Sequence, residues 1–153
     1  MAAVHPFLFK QSFFFLKRAV ALLLLCFVQS LQAAPEQALA RIELHTADEL
    51  YQVLKRSDSL FALADVGTSS PIVFILHGSE AKVFFRQNYS QNKSLVDLAA
   101  MLSAFNIVDI KVCKTWMGHH QLQADQLLPF VGTVDNGPAA EQELLLQRNY
   151  RYF

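Results

Sequence analysis

The chain has 153 residues, with 13 Lys and Arg against 13 Asp and Glu, and it is 53% hydrophobic and 17% charged. A neutral, apolar chain of this length excludes a disordered tail and a polybasic nucleic-acid binder, so no nucleic-acid partner is expected, and it fits a single domain. The apolar excess is uneven: Phe7, Phe9, Phe13, Phe14, Phe15 and Phe27 place six of the 13 phenylalanines in the first 30 residues, so much of it belongs to a leader.

Lys10, Lys17 and Arg18 precede an uninterrupted apolar run over residues 19–28, and Gln29-Ser30-Leu31-Gln32-Ala33 follows as a polar, small-residue tail. Basic, apolar, then cleavable is the order of a secretory signal peptide. A helix over that run spans roughly 15 Å, about half of the roughly 30 Å hydrocarbon core, which is short for a permanent span. Residues 1–33 therefore read as a signal peptide and the protein as periplasmic or secreted, with no stable membrane insertion once the leader is cut. The alternative is an uncleaved anchor, in which the aromatic stretch 7–16 extends the apolar segment across Lys17 and Arg18. Cys26 is a residue of the hydrophobic region, since Leu25 stands where a lipoprotein site needs a small side chain. Removal of the leader takes away three basic residues and no acidic ones, leaving 120 residues with a net charge of −3 and one cysteine, Cys113. A single thiol in an oxidising compartment has no partner within its own chain.

Residues 34–45 read as a short tether and 46–153 as the domain. Thr46-Ala47-Asp48-Glu49 has the spacing of a capping box, and Leu50, Val53 and Leu54 follow at helical intervals, which predicts a helix to about Arg56. Residues 57–64 are ambiguous, because Leu60-Phe61-Ala62-Leu63 is too short to separate strand from helix, and 67–71 is a loop by composition. Ile72-Val73-Phe74-Ile75-Leu76 is a continuous β-branched and aromatic run, the pattern of a strand buried on both faces of a parallel sheet. From a cap at Ser94, a helix is predicted with Leu95, Leu98, Ala99, Leu102 and Phe105 on its buried face and Asn106 as a left-handed terminator. Val108, Ile110 and Val112 alternate with Asp109 and Lys111 in a strand that runs into Cys113. Residues 130–134 predict a third strand, Gly137-Pro138 opens a helix, and 150–153 closes the chain as a short strand. Strands alternating with helices imply parallel crossover units, hence an α/β single-domain three-layer sandwich with a mainly parallel sheet and helices on both faces.

In a parallel sheet, reactive groups gather outside the carboxyl ends of the strands. His77 ends one strand and Cys113 the next, so imidazole and thiol share one rim if the strands are neighbours. With Thr115 capping a following turn, Cys113 faces the positive end of a helix, and Lys114 and a protonated His77 also favour thiolate over thiol. A rim position leaves the sulfur partly accessible. The competing reading has Cys113 packing as a small hydrophobe and His77 as a structural hydrogen bonder. Trp116 and Met117 either roof the thiol or fill space beside it. The adjacent His119 and His120 point in different directions on any regular element, and no metal is expected there. Gly-x-Gly-x-x-Gly, Gly-x-x-x-x-Gly-Lys-[Ser/Thr], Gly-x-Ser-x-Gly and Cys-x-x-Cys do not occur, which removes the dinucleotide, P-loop, hydrolase and dithiol templates and calls for no cofactor. Single-thiol chemistry remains.

The segments Ile72-Val73-Phe74-Ile75-Leu76-His77-Gly78, Asn88-Tyr89, Leu95-Val96-Asp97-Leu98-Ala99-Ala100 and Val108-Asp109-Ile110-Lys111-Val112-Cys113 occur in that order. Leu127-Leu128-Pro129-Phe130-Val131, Gly137-Pro138 and Tyr150-Arg151-Tyr152 follow. This ordered set, over residues 71–153 and about two-thirds of the mature chain, resembles the DsrE/DsrF-like family of sulfur-relay proteins, in its exported, stand-alone branch. The resemblance implies a compact sheet with helices on both faces, assembly into homo-oligomers, sulfur donor and acceptor proteins as partners, and a persulfide held on a cysteine at the position of Cys113. Two departures stand out: residues 117–123 are more polar than the family's stretch after the cysteine, and the region before Ser70 is short. The expected function is thus an exported sulfur carrier using Cys113, with His77 as proton shuttle or thiolate partner. Its rival is a non-catalytic oligomeric module, binding a small molecule or a protein, in which the cysteine only packs. Export with cleavage after Ala33 yields a mature chain beginning at Ala34, which N-terminal sequencing checks; full-length protein in a salt-resistant membrane fraction would establish the anchor instead.

Overall fold

A computed structural model describes residues 37–62 and 70–153. The leader, the first residues of the tether and residues 63–69 fall outside the described residues.

The elements run β1 (Ala38–Leu39), α1 (Ala47–Phe61), β2 (Ile72–Leu76), two short 3-10 helices (Ser79–Phe84 and Arg86–Gln91), α2 (Lys93–Ala104) and β3 (Val108–Cys113). There follow α3 (Lys114–His119), a 3-10 turn (Ala124–Gln126), β4 (Gly132–Val134), α4 (Gly137–Gln147) and β5 (Arg151–Tyr152). The five strands form one sheet in the order β4-β3-β2-β1-β5, and every pairing is parallel. The expected α/β sandwich is the fold observed. Alternation along β2 divides the core between the two faces of the sheet. Phe74 and Leu76 join Leu50 and Leu54 of α1, Leu95, Val96, Ala99 and Leu102 of α2, and Ile110 and Val112 of β3. Val73 and Ile75, with Leu39 of β1, pack instead against Ala140, Leu144 and Leu145 of α4.

The segment predicted to be a tether is part of the sheet. Leu39 is fully buried, pairs with Val73 on one side and Tyr152 on the other, and so β1 joins β2 to β5. Two residues carry no periodic signal, which is why the strand is invisible in the sequence. Thr46 caps α1 as expected, its hydroxyl accepting from Glu49 N at 3.2 Å, but the capping box is not reciprocal. The Glu49 carboxylate accepts instead from the main-chain N–H groups of Glu43, Leu44 and His45 at 2.8, 2.8 and 3.0 Å. The helix continues past Arg56 to Phe61, which resolves the ambiguous segment up to that residue.

Helix α2 starts two residues earlier than predicted, with Asn92 rather than Ser94 at its N-cap, and Asn106 takes the left-handed conformation expected of it at φ 57°. Its buried face is rotated: Leu95, Val96, Ala99 and Leu102 are buried, Leu98 is half-buried and Phe105 is exposed. Strand β4 begins at Gly132 rather than 130, because Val131 N donates to Leu128 O in a turn and Phe130 packs edge-on against Phe84. The burial pattern gives a test of register. Leu102→Ala should lower stability by about 2–5 kcal/mol, and Leu98→Ala by clearly less, in denaturant unfolding; equal losses would restore the unrotated face.

Candidate functional site

Strands β2 and β3 pair in register from Ile72↔Val108 to Leu76↔Val112, so the next residue on each, His77 and Cys113, leaves the sheet at the same edge. The two sequence-predicted site residues are therefore neighbours in the sheet's register. Cys113 is the N-cap of α3, with Sγ accepting from Trp116 N at 3.4 Å. A second donor comes from another helix: Gly137 N, at the start of α4, lies 3.1 Å from the same sulfur. The Gly137 bond is buried and that of Trp116 partly so, and Cys113 is only 2% exposed, so the expected partly accessible rim cysteine is covered.

The cover is the loop from β4 to α4. Thr115 donates to Asp135 O twice, from its main-chain N at 3.2 Å and its hydroxyl at 2.8 Å. Lys114 Nζ pairs with Asp135 Oδ1 at 2.8 Å and holds that carboxyl below the usual range, through the hydrogen bond first and the charge second. Both sequence expectations about these residues change. Thr115 fastens the loop rather than capping the turn, and the Lys114 ammonium is directed at Asp135 rather than at the thiol. Trp116 approaches the sulfur through its main chain, while its indole stacks on His120 at 4.2 Å between ring centres. Met117 is core.

The His77 imidazole is paired with groups other than the thiol. Its Nε2 lies 3.4 Å from Glu141 Oε1 on α4, and its ring is 4.6 Å from that of His45. His45 Nδ1 is in turn 3.1 Å from Glu80 Oε1, and the same oxygen accepts from the main-chain N–H groups of His77 at 3.1 Å and Gly78 at 3.0 Å. Glu80 is fully buried, and its Oε2 has no hydrogen-bond partner. Gly78 is required here: a Cβ on it would stand 2.5 Å from His45 Cβ and 2.6 Å from Glu80 Oε2. His45, Glu80 and Glu141 are the residues that sequence reading missed. They lie in three separate segments, each ordinary by itself: the return of α4 brings Glu141 to His77, and the docking of the 43–45 loop onto the turn after β2 brings His45 to Glu80. Glu49 sets that docking, because it fixes His45 N while His45, at φ 52°, presents its carbonyl to Glu80 N at 3.1 Å and to the Ser79 hydroxyl. Among the described residues, no group of three or more His, Cys, Asp and Glu side chains is arranged to hold a metal ion.

Burial pushes the Glu141 carboxyl above the ordinary carboxylate range; attraction to His77, with which it also bonds, and to His45 opposes the rise, and the like charge of Glu80 adds to it. A raised folded-state value means that folding favours the protonated acid, so its contribution to stability is complete below the ordinary value and is lost as pH rises through the raised one. Glu141→Gln removes that loss. Its stability relative to wild type should therefore grow as pH increases from about 4 and then level off, in denaturant midpoints taken across that range; a pH-independent difference would show that Glu141 titrates as an ordinary surface carboxylate.

Among the described residues no helix is long and apolar enough to cross a membrane. No family model matches the chain, and no curated protein matches it in sequence. Among solved structures, the chain is similar to MTH1491 from Methanobacterium thermoautotrophicum, a protein of unknown function. The two are 17% identical, and the match covers 77% of this chain and 97% of that one with a TM-score of 0.61. At that identity the likeness establishes a shared α/β fold.

Proposed function

We propose that this protein is an exported single-thiol sulfur carrier, which accepts, holds and passes sulfane sulfur as a persulfide on Cys113. The observation that supports the reading best is the pair of main-chain N–H groups, from Gly137 at 3.1 Å and Trp116 at 3.4 Å, aimed at one sulfur at the carboxyl edge of a parallel sheet. Amide donors stabilise a sulfur that carries charge, and the thiolate is the nucleophile of thiol exchange. The resemblance of residues 71–153 to the DsrE/DsrF-like family supports the same reading, since it implies a relay cysteine at this strand end.

The chemistry needs no external oxidant. Cys113 thiolate attacks a sulfane sulfur of a polysulfide, a new S–S bond forms, the old one breaks, and the electron pair leaves with the shortened polysulfide. An acceptor thiolate then attacks the outer sulfur of the Cys113 persulfide, and Cys113 departs as thiolate. His77, partly exposed and backed by Glu141, stands along the edge where it can take the proton that an incoming acceptor thiol gives up. Donor and acceptor proteins are the partners in this reading, export follows from the leader, and assembly into homo-oligomers follows from the resemblance.

The burial of Cys113 favours a second reading, an oligomeric binding module in which the cysteine only packs. Intact mass separates the two. After incubation with polysulfide, the purified mature protein, which lacks Cys26, should gain about 32 Da per added sulfur, reversibly with a thiol acceptor, and Cys113→Ser should gain nothing. A wild-type mass that stays unchanged would leave the packing module.

A further inference from the structure

We propose that Glu141 is the positioning residue for Cys113: its carboxylate holds His77 against Gly137, and so keeps the Gly137 N–H on the sulfur and the sulfur covered. The inference rests on the reading of Cys113 as the reacting thiol, and it explains how a buried thiol is both activated and guarded.

The donors at the start of α4 can be followed one by one. Ala139 N is taken by the Asn136 side chain at 3.0 Å, Ala140 N by Asn136 O at 3.0 Å, and Pro138 has no N–H. The remaining first-turn donor is Gly137 N, and it goes to Cys113 Sγ. Asn136 thus caps α4 from within and ties it to neither β2 nor β3. The other side of Gly137 meets His77: a Cβ there would lie 2.9 Å from His77 Cβ and 3.0 Å from Cδ2, so only a glycine lets the imidazole and the helix start approach this closely. The far end of that ring reaches Glu141. Gly137 and Glu141 are one turn apart on α4, on the same side of the helix. His77 therefore touches the first turn of α4 at two points, while its own main chain is held by Glu80 and its ring lies beside His45. Gly137 is the only buried residue of α4; the turn is otherwise anchored by Ala140 against the sheet and, just before it, by Asp135 on Thr115 and Lys114, so His77 is its one contact at the sulfur side of the helix start. Release of Glu141 frees the ring, the first turn loosens, and the sulfur loses a donor and its cover together.

The test uses the purified protein with five variants, reading the Gly137 amide proton by NMR, the rate of Cys113 alkylation by iodoacetamide under native conditions, and the denaturant midpoint. Glu141→Ala should move the Gly137 amide proton upfield, as Cys113→Ala does, and raise the alkylation rate several-fold. Glu141→Gln keeps an acceptor oxygen for His77 and should restore both readings to near wild type. Leu146→Ala, on the exposed side of the same helix, should move neither. Should Glu141→Ala not fold, Gly137→Ala gives the second measure, since its methyl forces His77 and the helix start apart; faster alkylation supports the proposal and an unchanged rate overturns it. An unmoved Gly137 resonance in Glu141→Ala, or equal changes in Leu146→Ala, also overturns it. Polysulfide loading scored on the same preparation keeps the two ideas separate. A wild type that takes no sulfur, with the Glu141 effects present, refutes the carrier and leaves the positioning intact, and a loaded wild type without those effects does the reverse.

Discussion

The ladder between β2 and β3 is the constraint on which the site depends. Five consecutive residue pairs, Ile72↔Val108 to Leu76↔Val112, lock the two central strands in one register. A shift of one residue would turn Phe74 and Leu76 out of the core they share with Ile110 and Val112 and would send Val73 and Ile75 to the wrong face, so burial on both sides of β2 forbids it. Because the strands are parallel, both leave the sheet at the same edge. The N–H groups just past the strand ends and at the helix starts that meet them must be satisfied by something else. Glu80 accepts from the N–H groups of His77 and Gly78, and Cys113 sulfur accepts from those of Trp116 and Gly137. Carboxylate and thiol are thus doing the work that caps do elsewhere, and the chemistry of the site is built from the end of the sheet.

That arrangement sets two requirements against each other at Cys113. The sulfur is buried, yet two main-chain N–H groups need it as an acceptor. The structure meets them by bringing the donors from helix starts, where N–H groups have no intrahelical partner, so the sulfur replaces a missing acceptor rather than competing for an occupied donor. Lys114 takes no part in this balance. Its ammonium is spent on Asp135 at the surface, where the pair is solvated and contributes mainly by tying the β4–α4 loop to α3.

The sequence is legible where a signal extends over several residues. Continuous apolar character identified β2, alternation identified β3, and Asn106 marked the end of α2, since each rests on local chemistry repeated or on a conformation few residues adopt. Strand β1 fails that condition: Ala38 and Leu39 become a strand only because β2 and β5 lie on either side. The face of α2 was misread through choosing Leu98 over Val96, two residues equally apolar in the sequence, and the position of the sheet decides between them. At the site, strand-end placement was enough to pair His77 with Cys113. It could not reveal that the ring turns towards Glu141, nor that the sulfur is closed over, because both depend on where α4 returns to the sheet. Glu49 shows the same limit in a different form. Its spacing from Thr46 promised a bond back to the cap, and three N–H groups of the preceding loop claimed the carboxylate instead.

The two faces of the sheet are unequally filled, and the difference falls where access to the thiol is decided. One face buries Leu50, Leu54, Phe84, Phe85, Leu95, Val96, Ala99 and Leu102 above Phe74, Leu76, Ile110 and Val112. The other buries Leu39, Val73 and Ile75, and it is met by α4 through Ala140, Leu144 and Leu145, which are only partly covered. Over β3 that second face carries Asp109 and Lys111, paired with each other at 2.8 Å and partly exposed, so the helix has no apolar strip to extend onto. Local opening is easiest where buried apolar contact is least. Of the elements that close over Cys113, α4 is the one so held, and its start supplies both a sulfur donor and the residue against which His77 packs. The thick layer therefore fixes the register of β2 and β3, while the thin layer carries the groups that cover the thiol at their shared edge.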